Sequence, residues 1–349
     1  MKFSRSTVRV AQTAHGLLTE LNGVYRLTAG LRWQNLACRR DAFQVASRAF
    51  HDGVAVAEPD VHRLLRANIP LIDPHLMAVL AFGVTFRKSE VARDEEFKVG
   101  GNVNAVVQAS AAPSNVKDTP YTRVGPRANP AELFGKAKTR KHLFLPGEAA
   151  GIRSVETLSA LLEGKVEMLP PWNIHEPEIA TVMTPDGIPI GFLPALDMSD
   201  RRDEGISPLL LTKAKIFWHC CGFGHWCTIP EDALAFWESI VVRSWVERNG
   251  YREWPIPTEP DEMSATQCRR PLTELCQDVV DADFVDEGEP AVFLSGTGIV
   301  PAPGDSFSLL PGDTIKYFSD QLGTLHCGVQ LIPRPRRDLS AQIEAATAS

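Results

Sequence analysis

The feature that most constrains this chain is the run HEPEIATVMTPDGIPIGFLPALDMSD over residues 175–200, where two apolar, strand-like stretches flank Asp186-Gly187. Asp-Gly readily adopts the positive backbone angles of a tight turn, so the run is predicted to be a β-hairpin with strands over Glu176–Met183 and Ile188–Leu196. Side chains two apart on a strand share a face, which puts Glu176 and Glu178 together. If Asp186-Gly187 is a two-residue loop, Pro185 pairs with Ile188, and counting back sets Glu176 opposite Asp197. Three carboxylates gathered in an apolar hairpin repel one another and lose hydration, costs that a hard divalent cation removes by coordination, with Mg²⁺ or Mn²⁺ the natural occupant. An isolated E-x-E is most often a solvated charged edge; the third carboxylate and the apolar flanks set this one apart. Lys215, read in a following strand over Ala214–Cys221 with Lys213 on the same face, brings a compensating charge or a polarising donor.

The surrounding pattern is α+β and mainly β. Asn22-Gly23 marks an early hairpin, helical spacing follows over Ala42–Phe50 and Asp60–Ala67, and prolines between Ile69 and Pro74 break it. A small N-terminal α+β domain over 1–75, a catalytic domain over 76–333 and a flexible tail over 334–349 are expected. Within the second, Leu76–Val84 reads as a buried strand and Arg87–Phe97 as a charged helix. Residues 100–130 read as a long loop of the kind that covers active sites. Leu133–Phe144 reads as a strand, and Val155–Leu162, Pro230–Glu247 and Ala265–Val279 as helices.

Several function classes are excluded. A formal net charge of −7 and a pI near 5.8 leave no broad basic surface for nucleic acid. No segment reaches membrane-spanning length and no secretory leader is recognisable, so a cytoplasmic enzyme is expected. The seven cysteines form no CxxC pair, which fits reduced thiols, and His219, Cys220, Cys221, His225 and Cys227 match no common zinc spacing. His175 precedes Glu176 and is predicted to point away from the carboxylates as a hydrogen-bonded structural residue. No GxGxxG or P-loop follows a predicted strand, which leaves nucleotide cofactors without support.

The stretch from Glu176 to Lys215, with E-P-E, A-L-D-M-S-D-R and T-K-A-K-I-F, resembles the fumarylacetoacetate hydrolase superfamily. The resemblance extends to Gly83-Val84-Thr85-Phe86, to Ala131-Glu132-Leu133-Phe134-Gly135-Lys136, to Ser295-Gly296-Thr297-Gly298-Ile299-Val300-Pro301 and to Leu310-Pro311-Gly312-Asp313, spanning residues 76–332. Within the superfamily, GVTFRKSEVARDEE, YTRVGPRANPAELFGK and SGTGIVP look most like the branch that dehydrates 2-keto-3-deoxy sugar acids such as 2-dehydro-3-deoxy-D-arabinonate. This implies a mixed β-roll catalytic domain, a homodimer or homotetramer, and Mg²⁺ on Glu176, Glu178 and Asp197. It also implies Glu132 and Lys215 as the proton-transfer and polarising pair. Ser89 stands where hydrolases of the superfamily carry a water-activating histidine, a departure that favours elimination over hydrolysis. Gly135 replaces a bulky aromatic, and the wording at 100–120 and at Leu209–Thr212 also departs from the branch.

The expected reaction is dehydration of a small 2-oxo acid through a metal-stabilised enolate. Glu132 takes a proton, Lys215 supports the developing charge, and Ser89, Arg93, Thr297 and Gly298 bind the substrate. The competing readings are a hydrolase, decarboxylase or isomerase on another 2-oxo or 1,3-dicarbonyl acid, and a catalytically silent binding protein.

Overall fold

The computed structural model describes residues 7–65, 70–98, 142–153, 172–206, 211–255, 262–281, 285, 288–301 and 305–332. Strands β1 (Thr7–Thr13), β2 (Gly16–Leu21) and β3 (Val24–Ala29) open the chain, followed by α1 (Trp33–Ala37), α2 (Ala42–Asp52), β4 (Val54–Val56) and α3 (Glu58–Leu65). Next come β5 (Ala78–Ala81), α4 (Arg87–Lys98), β6 (Leu143–Phe144) and β7 (Ala150–Ile152). The long pair β8 (Asn173–Met183) and β9 (Pro189–Asp200) leads into α5 (Arg201–Ile206), α6 (Leu211–Lys215), β10 (Cys221–Phe223), β11 (Cys227–Pro230) and α7 (Ala233–Trp237). Strands β12 (Val241–Arg248), β13 (Tyr251–Trp254) and β14 (Glu262–Ser264) precede α8 (Leu272–Asp281), and β15 (Ala291–Leu294), β16 (Thr314–Ser319) and β17 (Gly323–Leu331) follow it. The fold is α+β and mainly β, as the sequence pattern predicts.

Two sheets organise these strands. The larger has eleven strands in the order β4-β3-β2-β1-β11-β9-β8-β15-β5, with β10 and β6 branching from β9. The smaller has six, in the order β13-β12-β16-β17-β7, with β14 on β12. Because β1 pairs with β11, the strands of the first thirty residues and the β8–β9 hairpin share one continuous sheet. Every residue of β8 is buried, the signature of a strand covered on both faces. On one side His175 donates or accepts across to Ser244 Oγ of β12 at 2.9 Å, so this face looks onto the second sheet. Burial drives the His175 pKa down to about 3 against the pull of the Glu176 charge, and the ring is the hydrogen-bonded structural histidine expected. The opposite face of β8 carries Glu176 and Glu178.

The hairpin keeps the predicted register by a different route. Thr184 N donates to Ile188 O and Gly187 N to Thr184 O, both at 2.9 Å, which encloses three loop residues, Pro185, Asp186 and Gly187, instead of two. Gly187 takes φ +83°, the left-handed conformation such a loop needs. A bulge beside Val182/Met183 then absorbs the one-residue offset, and Glu176 pairs with Asp197 as counted.

Three local expectations are corrected. Lys215 is not in a strand but is the last residue of helix α6, and only Cys221 of the Ala214–Cys221 run belongs to a strand. Pro230–Glu247 is not one helix: α7 makes little more than a turn, and β12 takes over at Val241. Ala265–Val279 divides into a 3₁₀ turn at Ala265–Gln267 and α8. The 100–130 loop, the 155–162 helix, most of the 133–144 strand and the 334–349 tail lie outside the described residues. Among the described residues no helix is long and apolar enough to cross a membrane.

Candidate active site

The hairpin register brings Glu176, Glu178 and Asp197 together with one carboxylate oxygen from each within 4.8 Å of the others. Glu178 and Asp197 are fully buried and Glu176 is 3% exposed, so this is no solvated charged edge. Glu178 Oε2 accepts the backbone N–H of Gly296 at 2.6 Å. That donor is aimed by a conformation only glycine takes easily: φ is +80°, and an added Cβ would stand 2.3 Å from Thr85 Oγ1. Thr85 is itself fixed, its hydroxyl donating to Ser295 O. The preceding residue, Val84, holds φ +48°, a costly angle for a β-branched side chain and a local strain beside the site.

Three helices bring further charged groups against these carboxylates. Helix α4 brings Arg93, α5 brings Glu204 and α6 ends on Lys215. Lys215 Nζ contacts Glu176 Oε2 and donates to Ser199 Oγ, and it stands 3.4 Å from Asp197 Oδ2 and 3.3 Å from Glu204 Oε1. Arg93 reaches Glu176 Oε1 with one guanidinium nitrogen and Glu204 Oε2 with the other. Burial would pull the Lys215 pKa down, yet Glu176, Glu204 and Asp197 together outweigh it and hold the ammonium above its ordinary value. Arg201, fully buried against the Trp172 ring at 5.7 Å, is shifted well down by burial and by the neighbouring Arg93.

Three carboxylates, Glu176, Asp197 and Glu204, therefore meet two cations in direct ion-pair contact, with Glu178 beside them. Their ligand atoms are hard oxygens, buried and convergent, which is the donor chemistry that suits Mg²⁺ or Mn²⁺. Of the other residues singled out in the sequence, Ser89 is buried one helical turn before Arg93 on α4. Thr297 Oγ1 accepts the Ile299 N–H at 3.0 Å, and Gly298 packs where a Cβ would meet Phe86 and Met263 at 3.1 Å. A cavity of about 530 Å³ lies between α4 and this loop, lined by Phe86, Lys88, Val91, Gly298 and Val300. Glu132 lies outside the described residues. Glu204 and Ser199 were not singled out from sequence; Ser199 sits two residues after Asp197 on the same strand face, a signal the alternation rule carries.

No family model matches the chain. It is 29% identical over 294 residues to a probable 2-keto-3-deoxyxylonate dehydratase of Haloferax volcanii, covering 84% of each chain. It is 27% identical over 207 residues to a 2-dehydro-3-deoxy-D-arabinonate dehydratase of Saccharolobus solfataricus, covering 59% of this chain and 61% of that one. Among solved structures it superposes on a 2-keto-3-deoxy-D-arabinonate dehydratase complexed with magnesium and 2,5-dioxopentanoate, with a TM-score of 0.62 and 19% identity over 94% of this chain and 100% of the other. That last likeness establishes a shared fold.

Proposed function

We propose that the chain is a lyase of the fumarylacetoacetate hydrolase superfamily, near its 2-keto-3-deoxy sugar acid dehydratases, and that it removes water from such an acid with the help of Mg²⁺ or Mn²⁺; the similarity to two dehydratases and the shared fold support this reading. The observation that carries this reading is the buried convergence of Glu176, Glu178 and Asp197 with Lys215 against two of them. These three carboxylates would hold the cation. When bound, it supplies positive charge to the carboxylate and keto oxygens of a 2-oxo acid.

The protein's own groups do the rest. Glu132 takes the proton from the carbon next to the keto group and returns it to the hydroxyl of the following carbon, whose C–O bond breaks to release water as the carbon–carbon double bond forms. Lys215, kept charged by its carboxylate neighbours, faces the negative charge that develops on the keto oxygen. Ser89, Arg93, Thr297 and Gly298 fix the substrate around that axis. Ser89 in the place of a histidine leaves α4 without the neutral base that hydrolysis of a carbon–carbon bond requires.

The test is turnover of 2-keto-3-deoxy pentonates of both configurations by metal-loaded and EDTA-treated protein. Product should form with Mg²⁺ or Mn²⁺ and stop on chelation. Hydrolysis of acylpyruvates without dehydration would replace the proposal with the hydrolase reading.

A further inference from the structure

Glu204, Arg93, Glu176 and Lys215 form a closed ring of alternating charge. Glu176 gives one oxygen to Arg93 and the other to Lys215, and Glu204 does the same from the opposite side, its Oε1 standing 3.3 Å from Lys215 Nζ. All four side chains are at most 4% exposed. Both Glu176 oxygens are thus engaged by cations, although Glu176 belongs to the trio suited to a divalent ion. A divalent ion at Glu176 has to share those oxygens with two positive charges in a poorly screened interior.

We infer that Glu204 is a positioning residue: it anchors Arg93 and Lys215 so that Glu176 can give its oxygens to the divalent cation. This deepens the metal-dependent reading above and rests on it. Without the Glu204 charge, Glu176 would be the one carboxylate left in the ring for both Arg93 and Lys215, and an incoming dication would meet two cations whose second anionic partner in the ring is gone. The neighbouring carboxylate does a different job. Asp203, also on α5, faces Lys213 at 3.0 Å and Arg153 at 3.5 Å, away from this ring.

The experiment is Mn²⁺ binding to the full chain, read from the free-ion spin-resonance signal, which does not depend on turnover. Glu204→Gln, which keeps the shape and removes the charge, should weaken Mn²⁺ binding about tenfold or more, the size expected for an uncompensated buried charge. Glu204→Asp should recover most of the loss, and Asp203→Asn should bind as the wild type does. Unchanged affinity in Glu204→Gln, or equal loss in Glu204→Gln and Glu204→Asp, overturns the inference. Arg93→Met keeps it testable should Glu204→Gln not fold: with one competitor taken off Glu176, Mn²⁺ should bind more tightly, and equal or weaker binding counts against it. A wild-type chain that binds no Mn²⁺ removes the metal-dependent reading itself, whereas tight wild-type binding with an indifferent Glu204→Gln removes only the role of Glu204.

Discussion

Gly296→Ala tests how strictly the backbone holds the carboxylate site. At φ +80° an alanine costs on the order of 1–2 kcal/mol more than glycine. Its Cβ would also stand 2.3 Å from Thr85 Oγ1 and 3.2 Å from Phe82 O. Thr85 cannot swing away freely, because its hydroxyl donates to Ser295 O in a fully buried setting, so overpacking adds about 1–3 kcal/mol. The sum is a loss of about 2–5 kcal/mol, a large share of the roughly 5–15 kcal/mol that holds a domain folded. Urea unfolding followed by fluorescence measures it, and a double-mutant cycle with Thr85→Ala isolates the steric part. Thr85→Ala alone leaves Ser295 O without its donor, yet in the Gly296→Ala background it should recover about 1–3 kcal/mol of the sum of the two single losses. The same substitution shifts the N–H that Glu178 accepts at 2.6 Å, so Mn²⁺ affinity should fall along with stability. A Gly296→Ala protein within about 0.5 kcal/mol of wild type, or a cycle with no coupling, would refute the reasoning.

Borohydride added during turnover should leave no covalent adduct on Lys215, because an ammonium held protonated by three carboxylates does not condense with a keto group; a substrate-sized mass gain on that residue would reverse its assigned role. Glu132→Gln should abolish turnover while Mn²⁺ binding persists, and retained activity would remove Glu132 from the reaction. Asp200 is raised to about 6, first by burial and then by Asp203, from an ordinary value of 3.8. Between those values the folded chain binds more protons than the unfolded one, so stability falls as pH rises through the window and the full cost stands above pH 6. Asp200→Asn should therefore gain on wild type by on the order of 1–3 kcal/mol between pH 4 and pH 7; a difference that does not change with pH in urea melts would contradict this.

The carboxylates were legible because strand geometry is rigid. Alternation fixed the shared face of Glu176 and Glu178, and counting from Asp186-Gly187 found Asp197. The count assumed a loop one residue too short, and a bulge beside Met183 cancelled the error. Such cancellation is physically driven, since a one-residue slip would have turned the whole apolar set of β9 to the wrong face. Lys215 was misplaced for the opposite reason. Leu211–Lys215 is too short to show a helical period, and its K-A-K alternation fits a strand equally well. The strand Val241–Arg248 is masked in the sequence because the apolar residues of α7 just upstream run into it and read with it as one longer helical pattern.

The division between what was readable and what was not follows the division of labour in the site. The hairpin holds the anions, and their positions are written in a pattern of period two within one short stretch of chain. The cations and Glu204 come from α4, α5 and α6, whose meeting depends on how three helices pack over one face of β8 and β9. No local period encodes that packing. Neutralising a hairpin carboxylate should thus act first on metal affinity, as ligands do. Replacing Lys215 should act first on turnover at saturating metal, because its charge faces the substrate's keto oxygen in the proposed reaction. If Lys215→Met lost only metal affinity and kept its rate once loaded, Lys215 would count as scaffolding for the carboxylates and the polarising role would pass to another group.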